Sequence, residues 1–285
     1  MKKEEMIPNL IIIGDCAYDT NKFLYENGKT TIKTNFGGSS IYSSVPASVF
    51  YRVALVSNAG EDFDIEKLNS FNIDLRGFHL RKGEKTSRFY NILRTKDRQE
   101  RETVAEYNSN LATKFEDIPK DFLNAKYFYV STILPSKQKE LIEKLRSFNP
   151  NAIIGVDTFE GYADLEETKQ VFDLVDIAFI DKEFSKLLQS RAKIKIIKLG
   201  KEGCILVDSN GKKIVPANVV EEVVDKTGAG DCLNGVFMNL IANGYSNEMA
   251  LKKAVEIATL SINDFGILGI KDKIERKINT QEDVR

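Results

Sequence analysis

The chain has 285 residues, 42% of them hydrophobic, and a formal net charge of -1 at pH 7. This length suits one large α/β domain, or one domain with a small appendage. The nearly balanced charge argues against a nucleic-acid-binding surface that works through bulk positive charge. Cys16, Cys204 and Cys232 lie far apart and form neither a disulfide framework nor a CxxC metal motif. We therefore expect reduced cysteines in a cytoplasmic protein.

The N-terminal segment MKKEEMIPNLIIIGD has a charged start and only a short apolar run. This run is too short for the apolar region of a signal peptide and for a membrane span. We therefore expect no membrane partner, and we interpret NLIII as the first buried strand.

Short apolar runs alternate with helical patterns along the chain. Runs that are apolar on both faces, bounded by turns and followed by helices, indicate a parallel sheet covered on both sides. Such runs are LIII at 10–13, RVALVS at 52–57, KYFYVS at 126–131, AIIGV at 152–156, IAFI at 177–180, KIIKL at 195–199 and CILV at 204–207. The sequence therefore predicts an α/β fold with a doubly wound, mostly parallel sheet flanked by helices.

Two amphipathic helices are predicted in the last quarter of the chain. After Asp231, apolar residues recur at helical spacing and stop at Gly244. These residues are Leu233, Val236, Phe237, Leu240 and Ile241. A second helical pattern follows, with Ser246 or Asn247 as its N-cap and Gly266 at its end.

Two polar segments interrupt this alternation. Residues 22–33 hold Asn27-Gly28 between β-prone arms, which is the strongest short hairpin signal. Residues 86–106 also have the pattern of two strands about a polar turn. Neither segment fits inside a doubly wound sheet. Two interpretations stay open: the segments form one small sheet that stands off the main domain, or they are separate surface hairpins.

The stretch TGAGD at 227–231 places small residues and then an acid at the start of a helix. A helix start offers unpaired N–H groups and the positive end of the helix dipole, and small residues let an anion come close. An acid there repels an anion, but it can accept a proton from a hydroxyl that attacks the anion, as phosphoryl transfer requires. The alternative is a first-turn acid favoured by the dipole, with glycines that merely form a turn.

The segment DKTGAGDCLNGVFMNL at 225–240 closely resembles the C-terminal signature of the PfkB carbohydrate-kinase, or ribokinase-like, family. Further segments resemble family motifs in the family's order. They are GDCAYD at 14–19, FGGSSIYSSVPASVF at 36–50, SNAGEDF at 57–63, FNIDLRGF at 71–78 and IKLGKEGCILV at 197–207. The resemblance implies a single ribokinase-like α/β domain over residues 1–285, with strands of a small β lid inserted at about 15–36 and 79–106.

The resemblance also implies roles for individual residues. Members of the family move the terminal phosphate of ATP to a hydroxyl of a small substrate. Asp231 matches the catalytic base, with an anion hole formed by Gly228, Ala229 and Gly230. The implied substrate-binding residues are Asp19, Gly37, Gly38 and Tyr42, and the implied nucleotide-binding residues are Asp225, Thr227, Gly200 and Gly203. A turn acid at Asp19, and a plain turn at Gly200 and Gly203, are the alternatives.

The chain departs from the family pattern at two positions. Where the family has an Asn-x-x-Glu motif linked to magnesium and phosphate, FIDKEFSKLL at 179–188 has Asp181 and Phe184, with Glu183 one residue away. Mg²⁺ would still be needed to neutralise the donor phosphates, but no metal ligand is assigned. Tyr42 takes a place where many sugar kinases of the family have Asn, so the substrate stays open.

The sequence thus predicts a cytoplasmic kinase that uses ATP and Mg²⁺ to phosphorylate a hydroxyl of a small sugar or polyol. A nucleoside kinase on the same fold and a catalytically inactive, ligand-binding homologue are the alternatives. The intact TGAGD segment argues against the inactive homologue, because a pure binding protein gains nothing from a base there. We expect a small-molecule substrate, no nucleic-acid partner, and a homodimer formed through the exposed edges of the lid.

Overall fold

The computed structural model describes residues 6–94, 100–162, 164, 166–220 and 223–282. The strands within these ranges are β1 (Leu10–Ile13), β2 (Ala17–Leu24), β3 (Thr30–Gly37), β4 (Val53–Gly60), β5 (Ile73–Arg81), β6 (Arg88–Arg94), β7 (Glu100–Glu106), β8 (Tyr127–Val130), β9 (Ile153–Val156), β10 (Ile177–Asp181), β11 (Ile194–Lys198), β12 (Cys204–Asp208) and β13 (Gly211–Val215). The helices are α1 (Ser39–Ala47), α2 (Pro135–Phe148), α3 (Glu166–Asp173), α4 (Ala229–Ala242), α5 (Asn247–Ser261) and α6 (Ile270–Glu282).

A nine-stranded sheet with the order β13-β12-β11-β10-β9-β8-β1-β4-β5 forms the centre of the fold. Its strands are parallel except near one edge, where β12 pairs antiparallel with both β11 and β13. The predicted doubly wound, mostly parallel sheet is confirmed, and every strand predicted for it is present. The sequence did not predict β5 and β13, the two edge strands, because both carry many charged residues.

The central sheet is covered by an apolar layer on each face. Strand β1 shows why its sequence is apolar throughout: Leu10 and Ile12 pack in one layer, Ile11 and Ile13 in the other, and all are fully buried. The first layer contains residues of four helices, represented by Ile41, Phe237, Leu251 and Ile274. The second contains residues of α2 and α3, represented by Leu141 and Phe172.

The two predicted C-terminal helices are α4 and α5. Helix α4 ends just before Gly244, which has a positive φ of 92°. The Ser246 hydroxyl accepts a hydrogen bond from the Met249 N–H at 3.3 Å, so Ser246 is the N-cap of α5. Gly266 lies beyond the end of α5 rather than at its cap. The described residues contain no helix with the length and apolar character of a membrane span.

The two hairpin segments share a second, four-stranded sheet with the order β3-β2-β6-β7, called the small sheet below. Strands β2 and β3 pair antiparallel across a turn in which Gly28 has a φ of 78°. Strand β6 pairs parallel with β2 and antiparallel with β7. Residues 95–99, at the predicted polar turn, lie outside the described residues.

Candidate active site

An open cleft with a cavity volume of about 950 Å³ lies between the central sheet, the small sheet and the start of α4. Parallel strands place the residues that follow them at one edge of a sheet, which is where ligands bind in open α/β folds. Residues that follow β1, β8, β9 and β10 line the cleft, namely Asp15, Thr132, Asp157 and Glu183. The small sheet contributes Asp19, Phe89, Asn91 and Thr103, and the start of α4 contributes Gly228, Gly230 and Asp231.

The start of α4 requires glycine at position 228. Gly228 has a φ of 74°, in the left-handed region, and a Cβ there would lie 2.1 Å from the Tyr42 ring. The Ala229 N–H donates to the Lys226 carbonyl at 3.2 Å, and Gly230 and Asp231 follow in the first turn. N–H groups in the first turn of a helix have no carbonyl partner within the helix. An anion in the cleft would therefore meet the N–H groups of Gly230 and Asp231.

Asp231 lies at the centre of a group of acidic side chains. Its withdrawal from water and the negative charges of Asp157, Asp19 and Asp181 raise the pKa of Asp231 to about 8, while Lys198 opposes the shift. A carboxyl group with a pKa near the working pH is suited to take up a proton during a reaction. Asp231 lines the cleft, so it can act as a base toward a hydroxyl held beside it.

Lys198 holds two of these acids together. Its ammonium group lies 2.7 Å from an Asp157 carboxylate oxygen and 3.2 Å from an Asp181 oxygen. The buried Asp157 carboxylate also accepts from the Asn234 amide at 2.6 Å. Burial by itself lowers the pKa of Lys198. The charges of Asp157 and Asp181 raise it by more, so the pKa of Lys198 lies above its usual value. A Cβ at Gly230 would lie 3.5 Å from the ammonium, so this positive charge borders the start of α4.

Asp19 and Tyr42 meet beside the Gly228 turn. The Tyr42 hydroxyl donates to an Asp19 carboxylate oxygen at 2.7 Å, and both residues are buried. Burial and the charge of Asp19 raise the pKa of Tyr42 well above its usual value, so the hydroxyl stays protonated and donates. A Cβ at Gly37 would lie 2.3 Å from the Asp19 carboxyl carbon, and Gly38 has a φ of 84°. Gly37 thus leaves room for the Asp19 carboxyl group, and Gly38 allows the close approach of the β1–β2 turn.

Asp225 and Thr227 form the turn that leads into α4. The Thr227 N–H donates to one Asp225 carboxylate oxygen at 3.0 Å, and the Asn21 amide donates to the other at 2.7 Å. Thr227 lines the cleft, whereas Asp225 lies behind it and is only 3% exposed. Asp225 therefore acts on the cleft through the turn that it holds.

Comparisons with known proteins agree with this geometry. Residues 162–271 match the family model described as pfkB family carbohydrate kinase. The chain is 25% identical over 270 residues to a cytidine kinase of Thermococcus kodakarensis, and the alignment covers 87% of this chain and 92% of that protein. Residues 162–271 thus carry the similarity to the PfkB carbohydrate-kinase family. The family resemblance seen in the sequence is thereby confirmed.

Solved structures of similar proteins share the fold of this chain. Burkholderia thailandensis nucleoside kinase in complex with inosine superposes with a TM-score of 0.79 at 16% identity, covering 92% of this chain and 94% of that one. Ribokinase from Thermotoga maritima superposes with a TM-score of 0.74 at 19% identity, covering 96% of this chain and 100% of that one. Together with the named kinases among its relatives, the family match supports an ATP-dependent phosphotransferase that acts on a small substrate.

Gly200 and Gly203 lie in the turn between β11 and β12. Their φ values are 63° and 98°, and a Cβ at Gly203 would lie 2.1 Å from the Val215 carbonyl oxygen. The turn therefore requires glycine for its own geometry. Neither residue is among those that line the cleft, so their contact with a nucleotide remains a prediction.

Carboxylates that could support a magnesium ion are present where the family pattern departs. Asp181 and Glu183 both line the cleft, and carboxylate oxygens are the ligands that Mg²⁺ prefers. Mg²⁺ in kinase sites usually uses one or two carboxylates together with phosphate oxygens and water, so this donor set fits. Among the residues that the structure describes, no group of three or more His, Cys, Asp or Glu side chains could hold a metal ion.

Sequence reasoning missed several residues of the cleft. Asp157 and Lys198 were inside or next to predicted strands, and a charge at the carboxyl end of an apolar strand was the available signal. Asp15 was also missed: it accepts from the Tyr107 hydroxyl at 2.7 Å and from the Thr113 N–H at 3.1 Å. Burial raises the pKa of Asp15, and these hydrogen bonds oppose the shift.

Proposed function

We propose that the protein is a kinase that transfers the terminal phosphate of ATP to a hydroxyl of a small sugar or polyol. The observation that carries this proposal is the position of Asp231, whose pKa is about 8, directly after the Gly228 turn at the start of α4. Asp19 lines the same cleft. A base, an anion-binding helix start and a hydroxyl-binding acid are thus within one cavity.

The chemical step follows from this arrangement. The acceptor hydroxyl gives its proton to an Asp231 carboxylate oxygen while the hydroxyl oxygen forms a bond to the terminal phosphorus of ATP. The bond between that phosphorus and the oxygen of ADP breaks. Negative charge on the transferred group is met by the first-turn N–H groups of Gly230 and Asp231, and one well-aimed donor of this kind typically contributes about 10²–10³ in rate.

Lys198 and the acids beside it serve the donor side of the reaction in this proposal. The Lys198 ammonium borders Gly230 and supplies a fixed positive charge next to the transferred group. Asp181 and Glu183 are the residues that would hold Mg²⁺, which neutralises charge on the donor phosphates when bound. Thr227 and the Asp225 carboxylate behind it would shape the turn that faces those phosphates.

We propose that the small sheet acts as a lid over the acceptor, within a single ribokinase-like domain. Strands β2, β6 and β7 direct Asp19, Phe89 and Thr103 toward the cleft. On the other face, Ile32 is 62% exposed and Val104 is 65% exposed, and β3 and β7 are edge strands. Exposed apolar residues beside open strand edges support pairing of two copies through the lid, which sedimentation analysis would test. Three free cysteines fit a reducing, cytoplasmic compartment.

A nucleoside is the second candidate acceptor. The partly exposed aromatic rings of Tyr107, Phe159 and Tyr162 line the same cleft, and the last two pack edge to face at 5.5 Å. Aromatic rings stack on nucleobases with about 1–3 kcal/mol per base. The similar cytidine kinase of Thermococcus kodakarensis, aligned over most of its length, also favours this candidate. A base-bearing acceptor would place its hydroxyls near Asp19 and its base among these rings.

The test is magnesium-dependent release of ADP from ATP across pentoses, hexoses, inositols and nucleosides. We expect one acceptor class to respond, and we expect Asp231→Asn to lower turnover by about 10² or more with the fold retained, because a positioned base contributes roughly 10²–10⁴. Asp272→Asn is the matched control, since Asp272 is an exposed first-turn acid of α6. Full activity in Asp231→Asn would refute the assignment of the base. Equal losses of activity in both variants would indicate that a first-turn acid acts by stabilising its helix through the helix dipole.

A further inference from the structure

A row of hydrogen-bonded side chains crosses the small sheet and ends at the turn before α4. Asn21, Asn91 and Thr103 lie on three adjacent strands, β2, β6 and β7, and are paired directly across them. The Thr103 hydroxyl donates to the Asn91 amide oxygen at 2.7 Å. The Asn91 amide nitrogen donates to the Asn21 oxygen at 2.8 Å. These side chains, together with Asp225, are called the ladder below.

The ladder ends on the carboxylate of Asp225, in the turn before α4. The Asn21 amide nitrogen donates to an Asp225 carboxylate oxygen at 2.7 Å, across 204 positions of sequence. Every donor in the ladder therefore points the same way, from a hydroxyl through two amides to a negative charge. Hydrogen bonds in such a chain polarise one another, and the last is charge-assisted and hence the strongest.

Burial makes the ladder costly to break. Asn21 is fully buried, and Asn91 and Asp225 are each only 3% exposed. A buried polar group that loses its partner keeps the full cost of desolvation. The small sheet is thus connected to the turn at residues 225–228 by buried hydrogen bonds, and breaking them would be costly.

The far oxygen of the Asp225 carboxylate shows what this connection can control. It accepts the Thr227 N–H at 3.0 Å, and Thr227 directly precedes Gly228. The Asn21 amide also lies 3.4 Å from the Thr227 hydroxyl. The orientation of the Asp225 carboxylate therefore fixes the backbone that leads into the first turn of α4, where Asp231 lies.

We propose that Asn21 and Asn91 are positioning residues for phosphoryl transfer. In this proposal, the ladder keeps the turn at residues 225–228 in the form that receives the transferred phosphoryl group only while the small sheet is seated on the cleft. Closure of the small sheet over the acceptor and ordering of the turn at residues 225–228 therefore occur together. The proposal rests on the kinase function proposed above and extends it to a residue set outside the family signature.

Variants at two points of the ladder test the proposal. Asn21→Ala removes the bond to Asp225, and Thr103→Val removes only the outermost bond with little change in shape. Thr103→Ser keeps the hydroxyl and should restore function. Thr20→Val is the matched control, because the Thr20 hydroxyl bonds to that of Thr34 at 2.9 Å on the opposite face of the same strand pair.

The expected result is a loss of kcat with nearly constant KM values for ATP and acceptor. For Asn21→Ala we expect kcat to fall about 10- to 100-fold, the range for a lost hydrogen bond to a charged group. Thr103→Val should show a smaller loss that Thr103→Ser reverses. Thr20→Val should stay within about twofold, because its bond to Thr34 lies on the opposite face of the strand pair and outside the ladder. A lower melting temperature with unchanged kcat would overturn the proposal, as would a raised acceptor KM alone in Thr103→Val. If Asn21→Ala does not fold, the Thr103 pair decides.

Hydrogen exchange separates this proposal from the proposed function. We expect faster amide exchange over residues 223–231 in Thr103→Val than in the wild type and in Thr20→Val, measured without substrates. A wild-type protein without kinase activity would refute the proposed function but leave this exchange difference to be observed. If the wild-type protein is active but the ladder variants show neither an exchange difference nor a change of kcat, the positioning role of the ladder is refuted and the proposed function stands.

Discussion

The charge of Asp157 provides a sharp test of the electrostatics around Asp231. Asp157 accepts a hydrogen bond from Asn234 at 2.6 Å, and Asn234 is three residues after Asp231 on α4. Side chains three residues apart on a helix are neighbours, so the two carboxylates lie roughly 6 Å apart. Burial raises the pKa of Asp157, and the Lys198 ammonium at 2.7 Å opposes this shift and favours the ionised carboxylate. Asp157 is therefore a negative charge close enough to hinder ionisation of Asp231.

The magnitude follows from Coulomb's law. At roughly 6 Å and an effective dielectric constant of about 20, two like charges repel by about 2.8 kcal/mol. One pKa unit corresponds to about 1.36 kcal/mol, so Asp157→Asn should lower the pKa of Asp231 by about two units. Asp231 must be deprotonated to act as the base, so activity rises with pH through its pKa of about 8. Removing the neighbouring charge should move this rise to lower pH.

The assay is kcat/KM for the acceptor at saturating ATP between about pH 6 and pH 10, because this ratio reports ionisations of the free enzyme. Asp15→Asn is the matched control: Asp15 lines the cleft but is not among the leading causes of the shift at Asp231. The acid limb should move in Asp157→Asn, keep its position in Asp15→Asn and vanish in Asp231→Asn. An acid limb that keeps its position in Asp157→Asn would show that another group controls the pH dependence.

Two further predictions concern the residues around the Gly228 turn. Gly228→Ala should lower kcat strongly, because it strains a φ of 74° and places a methyl group 2.1 Å from the Tyr42 ring. Gly200→Ala, with a φ of 63° and open space around it, should cost roughly 1 kcal/mol of stability without such a steric clash. Tyr42→Phe should destabilise the protein by about 1–3 kcal/mol in urea denaturation and raise the acceptor KM, because it removes the hydroxyl bonded to the buried Asp19 carboxylate. An unchanged KM in Tyr42→Phe would separate Asp19 from acceptor binding.

The elements that could be predicted from the sequence are those whose environment is uniform along the chain. Strand β1 is buried on both faces, so its four residues are all apolar and were recognisable. Strand β13 reads GKKIV because it is an exposed edge, and its charges conceal its β conformation. Helix α2 escaped prediction for a related reason, because charged residues dominate it and its buried residues form a narrow stripe.

The candidate site divides in a similar way between local and distant features. The Gly228 turn and Asp231 were predicted because one short segment encodes a left-handed cap, a helix start and a first-turn acid. Asp157 and Lys198 were not, because they become partners only when β9 and β11 are aligned by the sheet. The ladder could not be predicted either, because the role of Asn21 on β2 becomes evident only when Asn91 on β6 is paired beside it.

The acids of the cleft also explain why Lys198 must be buried beside Gly230. Asp19, Asp157, Asp181 and Asp231 together create a negative potential that by itself would repel a polyphosphate. The Lys198 ammonium contacts two of these acids, and the first turn of α4 adds the positive end of a helix dipole. Both favour the ionised form of Asp231 and both attract phosphate. The same two features therefore restrain the pKa of the base and prepare the place where charge develops, so that acid and phosphate can share one cleft.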